Sequence, residues 1–113
     1  MAKRAVLGLV EDVVIVNGNK RKAVKARIDT GATNSSIDSK LAKELDLGPI
    51  IRERRIKSAL GTTVRPIVRV MIEIKGNQME EEFNLAERGH MTYPVLIGQN
   101  ILKKEKFLVD PLK

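Results

Sequence analysis

The sequence predicts a small, mainly β domain, a barrel or sandwich of short strands carrying one short helix. Three observations lead there. Apolar and polar residues alternate with period two across residues 23–28 and 68–75, the pattern of strands with one buried face. Turn-forming residues fall between the apolar runs, at Asn17-Gly18, around Leu60-Gly61 and at Gly76-Asn77-Gln78. Only residues 38–48 carry a convincing helical spacing.

The elements follow in order. Val6 to Val16 is an apolar, β-branched stretch interrupted at Glu11-Asp12. Asn17-Gly18 then favours a tight hairpin, because both residues tolerate positive φ. Val24, Ala26 and Ile28 alternate with Ala23, Lys25 and Arg27, giving a half-buried strand that runs directly into Asp29. In the helix, Asp38 or Ser39 supplies a capping oxygen. Leu41 and Leu45 share one face at i, i+4, and Gly48-Pro49 ends the element. A second β region begins near Ile56 and turns around residues 60–63. Val68, Val70, Ile72 and Ile74 then alternate with Arg69, Met71, Glu73 and Lys75, and Met79 to Leu85 returns after the Gly76 turn. Tyr93 to Ile97 opens a short apolar strand punctuated by Gly98. Residues 101–103 read as a brief helical turn and residues 107–109 as a last strand.

A length of 113 residues suits one domain spanning 1–113. Aromatic residues are only 3% of the chain, so Val, Ile, Leu and Met must fill the core, with Met71 and Met79 as filler. The absence of Cys excludes disulfides, Cys-ligated zinc and a thiol nucleophile. No apolar run approaches the roughly 18 residues of a spanning helix, and the N-terminus shows no secretory signal. A soluble, cytoplasmic protein is expected. The net charge of +7, from 21 basic and 14 acidic residues, raises the question of nucleic acid. The basic residues cluster at 20–27, 52–57 and 103–106, but acids interrupt two clusters and no aromatic is interleaved to stack on bases. A solvated basic surface is the expectation. Arg65 and Arg69 could select acidic peptides at the flap, but a solvated strand face is the safer reading.

Chemistry concentrates in Arg27-Ile28-Asp29-Thr30-Gly31-Ala32-Thr33. A strand delivers a carboxylate into a turn, with Thr and Gly behind it. Asp and Gly are also ordinary turn formers, so the tripeptide alone admits a structural reading. The small polar set Thr33-Asn34-Ser35-Ser36 follows and leads to Ile37 and the helix. Downstream, Val95-Leu96-Ile97-Gly98-Gln99-Asn100-Ile101-Leu102 places a Gly and a polar pair between apolar steps. His90 reads as an exposed loop residue, and no nucleophile-elbow sequence surrounds Ser35 or Ser36.

Asp-Thr-Gly-Ala followed by Leu-Ile-Gly-x-Asn-x-Leu resembles the retropepsin-like aspartic proteases, as does the order of elements over roughly residues 10–110. The stretch from Tyr93 through Asp110-Pro111 is more specifically similar to a prokaryotic branch labelled "ATP-dependent zinc protease". With no His-Glu-x-x-His, no Cys and a single histidine, His90, no metal site is expected here, and the resemblance implies no cofactor. It implies a closed β-barrel and a homodimer. Such enzymes use two carboxylates sharing one proton. This chain has one Asp-Thr-Gly, so a two-fold copy must supply the second. By resemblance, Asp29 is the catalytic acid or base, Thr30 locks the two active-site turns together, and Gly31 allows close approach to substrate. Ala32 and Thr33 border the peptide, while Leu60, Gly61 and Thr62 form the tip of a flap. Gly98, with Asn100, lets a strand pass tightly behind the catalytic turn. The viral members carry an acidic residue after Asp-Thr-Gly-Ala and an Arg after the second Gly. Thr33 and Gln99 occupy those positions here, so that ion pair is missing.

The expected function is therefore an aspartic endopeptidase acting on peptides or proteins as a homodimer. Two alternatives compete. One is a non-catalytic peptide-binding or partner module on the same barrel, associated with an ATP-grasp ligase. The other, disfavoured by the lack of aromatics, is a nucleic-acid binder. No membrane association is expected.

Overall fold

The computed structural model describes residues 3–113. Its strands are β1 (Val6–Leu7), β2 (Val10–Asn17), β3 (Lys20–Ile28), β4 (Ser35–Asp38), β5 (Ile50–Ser58), β6 (Gly61–Ile74), β7 (Asn77–Ala86), β8 (Val95–Ile97) and β9 (Leu108–Val109). Two short helices, α1 (Ser39–Glu44) and α2 (Gln99–Lys104), follow β4 and β8.

Six strands close on themselves in the order β2-β3-β8-β4-β7-β6, because β6 pairs back onto β2 through Met71–Ile74. Closure removes the open edges that a flat sheet would expose. The period-two pattern of the sequence faces this barrel as expected. Val68, Val70, Ile72 and Ile74 are at most 1% exposed, while Arg69 points outward. Ile15, Ile37, Phe83 and Ile97 complete the interior from four other strands, so the expected aliphatic core is present with Phe83 as its largest fully buried side chain.

Two hairpin turns sit one residue away from their expected places. Asn17 pairs with Lys20, so the two-residue loop is Gly18-Asn19, with only Gly18 at positive φ. That is the requirement of a type II′ turn, with Gly first. At the other turn Ile74 pairs with Asn77, and Lys75 and Gly76 both take positive φ, as a type I′ turn demands.

Glu11-Asp12 does not interrupt its strand, β2; the Val6–Val16 stretch breaks instead at Gly8-Leu9, between β1 and β2. Glu11 accepts the Gly8 N–H and lies 3.2 Å from Lys75 Nζ, and Asp12 takes Lys25. With these partners both carboxylates remain on β2. The helix is shorter than the 38–48 expectation. Asp38 caps it by accepting the Leu41 N–H, and it ends at Leu45, since Asp46 already adopts a left-handed φ of 53°.

The strand expected from Ile56 starts at Ile50. It forms a long hairpin with β6, in which Ser58 faces Gly61 across the tip. β5 lies outside the closed barrel, so this hairpin projects as an arm. Its base is tied to the body by Arg52 to Glu82, Arg54 to Asn34 and Arg65 to Asn84. Among the described residues, no helix is long and apolar enough to cross a membrane.

Candidate active site

Asp29 follows directly on β3. Its strand leaves the barrel wall there: the Asp29 N–H donates to the Ile97 carbonyl at 2.9 Å, and the next residues turn. The turn is closed by its own carboxylate. Asp29 Oδ1 accepts the Gly31 N–H at 2.9 Å, and the Asp29 carbonyl accepts the Ala32 N–H at 3.3 Å. The side chain is half-buried, while Thr30 and Gly31 are exposed.

The Gly98-Gln99-Asn100 segment holds this turn from behind. A Cβ added to Gly98 would fall 2.2 Å from the Asn34 carbonyl oxygen and 2.8 Å from that of Ala32, so only glycine fits. The neighbours of Gly98 bond the same backbone. Gln99 N–H donates to the Ala32 carbonyl at 2.7 Å and Asn100 N–H to the Thr33 carbonyl at 3.2 Å. Gln99 Nε2 reaches the Thr30 carbonyl at 2.8 Å. Where the viral pattern has an arginine, this glutamine tethers the turn by a neutral hydrogen bond.

Ser35 completes the seam. It is fully buried, accepts the Gly98 N–H at 2.8 Å and donates to Asn100 Oδ1 at 2.7 Å. Asn100 Nδ2 in turn donates to the Glu82 carbonyl of β7. The sequence alone reveals neither the role of Ser35 nor the strand that carries it. A serine pair gives no hydrophobic period, and its only signal is the small polar run between two apolar anchors.

Two open clefts border the segment from Asp29 to Asn34. One, of about 440 Å³, lies between the turn and the hairpin arm and is bordered by Ala32, Thr33, Arg55, Lys57, Arg65 and Arg88. The other, of about 400 Å³, is bordered by Asp29 itself with Arg27, Arg88, His90 and Tyr93. Arg88 and Leu96 border both. Five cations and a single carboxylate thus surround the site. Leu60, Gly61 and Thr62 sit at the hairpin tip, exposed, and border neither cleft. Among the described residues, no group of three or more His, Asp or Glu side chains is placed to hold a metal ion.

A closed six-stranded barrel with an Asp-Thr-Gly turn braced by a second glycine segment defines a retropepsin-like domain. Solved structures agree on the fold. A Legionella pneumophila protein of unknown function matches with a TM-score of 0.69 and 21% identity, over 98% of this chain and 96% of its own. The EIAV protease, solved with an inhibitor, gives 0.69 and 19% over 87% and 88%. A retropepsin-like aspartic protease from Rickettsia conorii gives 0.53 and 14% over 84% and 69%.

The chain belongs to the RimB-like family, described as "Retropepsin-like aspartic endopeptidase RimB", whose model matches residues 38–113. That match begins after the Asp29 turn. A Shewanella pealeana protein named "Probable alpha-L-glutamate ligase" is 31% identical over 114 residues. The alignment takes in 79% of this chain but only 25% of that relative, so the chain spans about a quarter of its length.

Proposed function

We propose that the chain is an aspartic endopeptidase that works as a homodimer on acidic peptides. The observation that carries this reading is the Asp29 turn, held by its own Gly31 N–H and by Gly98-Gln99-Asn100, and opening between two cation-lined clefts. A second copy related by a two-fold axis brings its own Asp29 opposite the first, and Thr30, exposed at the turn, braces the pair. Like charges that close cannot both ionise, so one carboxyl keeps a proton. The ionised partner takes a proton from water as the water oxygen attacks the scissile carbonyl carbon. The protonated one gives its proton to the carbonyl oxygen. Collapse of the tetrahedral intermediate breaks the C–N bond, and the leaving nitrogen takes up a proton. The hairpin arm covers the peptide, with Leu60, Gly61 and Thr62 at its tip and Ala32 and Thr33 along its path.

The acidic preference rests on charge. Arg27, Arg55, Lys57, Arg65 and Arg88 border the clefts, against one carboxylate. An anionic peptide is drawn to such a surface and a cationic one repelled. The name of the Shewanella relative points to glutamate as the substrate chemistry.

The test is hydrolysis of a mixed peptide library enriched in Glu and Asp between about pH 4 and 7, with sedimentation to establish the oligomeric state. Cleavage by the wild type and none by Asp29→Asn, with both chains dimeric, is the expected outcome. Saturable peptide binding without cleavage at any pH would instead establish the non-catalytic peptide-binding module.

A further inference from the structure

Arg88 is 9% exposed, yet no carboxylate among the described residues lies within ion-pairing distance of its guanidinium. Its Nε donates to the Tyr93 carbonyl at 3.1 Å and its Nη1 to Ser36 Oγ at 3.3 Å. Both acceptors are neutral, and among the described residues Nη2 has no hydrogen-bond partner. Asp38 instead spends Oδ1 on the Arg88 backbone N–H at 2.8 Å and Oδ2 on the α1 cap.

A buried charge without a counter-ion is costly, and here it is not isolated from other cations. Burial disfavours its charge most, Arg65 and Arg27 add repulsion, and Asp38 and Asp29 attract it. Arg65 borders the same cleft as Arg88, and among the described residues its one side-chain partner is the neutral Asn84 Oδ1, at 3.4 Å. Two guanidiniums thus border one cleft, and neither is in an ion pair among the described residues. A carboxylate seated there would relieve the repulsion and take up the open donors, and a guanidinium fork matches carboxylate geometry.

We propose that Arg88, assisted by Arg65, is a specificity-determining residue that receives the carboxylate side chain of a substrate residue next to the bond facing Asp29. This deepens the reading of the groove as a peptide site and rests on it. The general charge of the clefts attracts any anionic peptide; Arg88 selects the position at which the acid must stand. Its place on the wall shared by both clefts confines that position to the residues flanking the scissile bond.

The experiment uses Ala-based octapeptides carrying one Glu at a scanned position, and the matched Gln set, labelled for fluorescence anisotropy. Binding is measured to the full-length Asp29→Asn chain, so no cleavage is needed. One Glu position should bind about 10-fold or more tighter than its Gln counterpart, as a charge-assisted hydrogen bond supplies. Adding Arg88→Met should cut that ratio to about 2-fold or less by weakening the Glu peptide far more than its Gln counterpart, and Arg88→Lys should restore part of it. Equal weakening of both peptide sets, or an unchanged ratio, overturns the proposal and leaves Arg88 as a brace of the loop before β8. Should Arg88→Met fail to fold, Arg65→Met at the half-buried rim is decisive: a reduced ratio supports the subsite and an unchanged one overturns it. Wild-type cleavage without Glu-over-Gln preference refutes the subsite and spares the protease reading. A preference that tracks Arg88 in a chain that cuts nothing does the reverse.

Discussion

Gly98→Ala is the sharpest perturbation the structure offers, because a single methyl meets backbone on two sides. The added Cβ would lie 2.2 Å from the Asn34 carbonyl oxygen, 2.7 Å from the Asn34 carbonyl carbon and 2.8 Å from the Ala32 carbonyl oxygen. Side chains cannot rotate away to relieve this, since every offending atom belongs to the main chain. Relief requires moving residues 32–34 or β8 by roughly 0.8 Å, the shortfall from the closest approach of about 3.0 Å that real Cβ atoms tolerate. Either movement strains the bonds from Gln99 N–H to Ala32 and from Asn100 N–H to Thr33. Overpacking typically costs about 1–3 kcal/mol, and an all-backbone clash belongs at the upper end. About 3 kcal/mol is a large share of the ~5–15 kcal/mol that holds a domain together. It corresponds to a loss of about 12 °C in Tm, or about 2 M in the urea midpoint for a slope near 1.5 kcal/mol/M. The assay is urea unfolding followed by circular dichroism, with Gly89→Ala as control. A methyl added at Gly89 would meet no atom within 4 Å, and its φ is not positive, so that variant should stay within about 0.5 kcal/mol of wild type. A Gly98→Ala protein as stable as the Gly89→Ala one would refute the packing argument behind the site.

Two further outcomes are expected. Ser35→Ala should cost about 1–3 kcal/mol, because it strips the buried Gly98 N–H and Asn100 Oδ1 of their common partner; urea unfolding measures it, and wild-type stability would contradict the seam. Glu81 is 4% exposed, and burial pushes its carboxyl above the ordinary range, partly countered by Lys104. A carboxyl raised in the folded state binds its proton more tightly there than in the unfolded chain, so its contribution improves as pH falls toward the ordinary carboxylate range and worsens above it. Glu81→Gln should therefore be at least as stable as wild type near neutrality, and wild type should gain on it as the pH is lowered to about 5; melting curves of the two proteins across that range check the sign, and the opposite trend would overturn it.

The elements legible in the sequence owe it to local physics. Residues 68–74 announce a strand because one face of β6 is buried and the other is not, which writes a period of two into the chain. The Asp29 turn is visible because strand, carboxylate, Thr and Gly are contiguous. What stays hidden depends on distant partners. β4 is only four residues long, all buried, and half of it is serine. Its place between β7 and β8 and its hydroxyl bonds come from strands far along the chain. Arg88 gives no signal either: a lone arginine in a polar loop looks solvated until Ser36 and Tyr93 close around it. The hairpin turns are displaced by one residue because Asn and Gly tolerate several turn positions, and only the pairing of both strands fixes which is used.

The long strand β6 serves two structures at once. Its first half, Gly61–Val68, is paired with β5 in the projecting arm, and its second half, Ile67–Ile74, is a stave of the barrel paired with β7. No loop separates the two halves, so the arm is a cantilever clamped in the wall. A load at the tip becomes a bending moment at Pro66-Ile67, where proline lacks the N–H that would stiffen the ladder and Ile67, 2% exposed, is the first anchored side chain. Any deflection of the arm therefore flexes a continuous spring, and the restoring force returns it to rest.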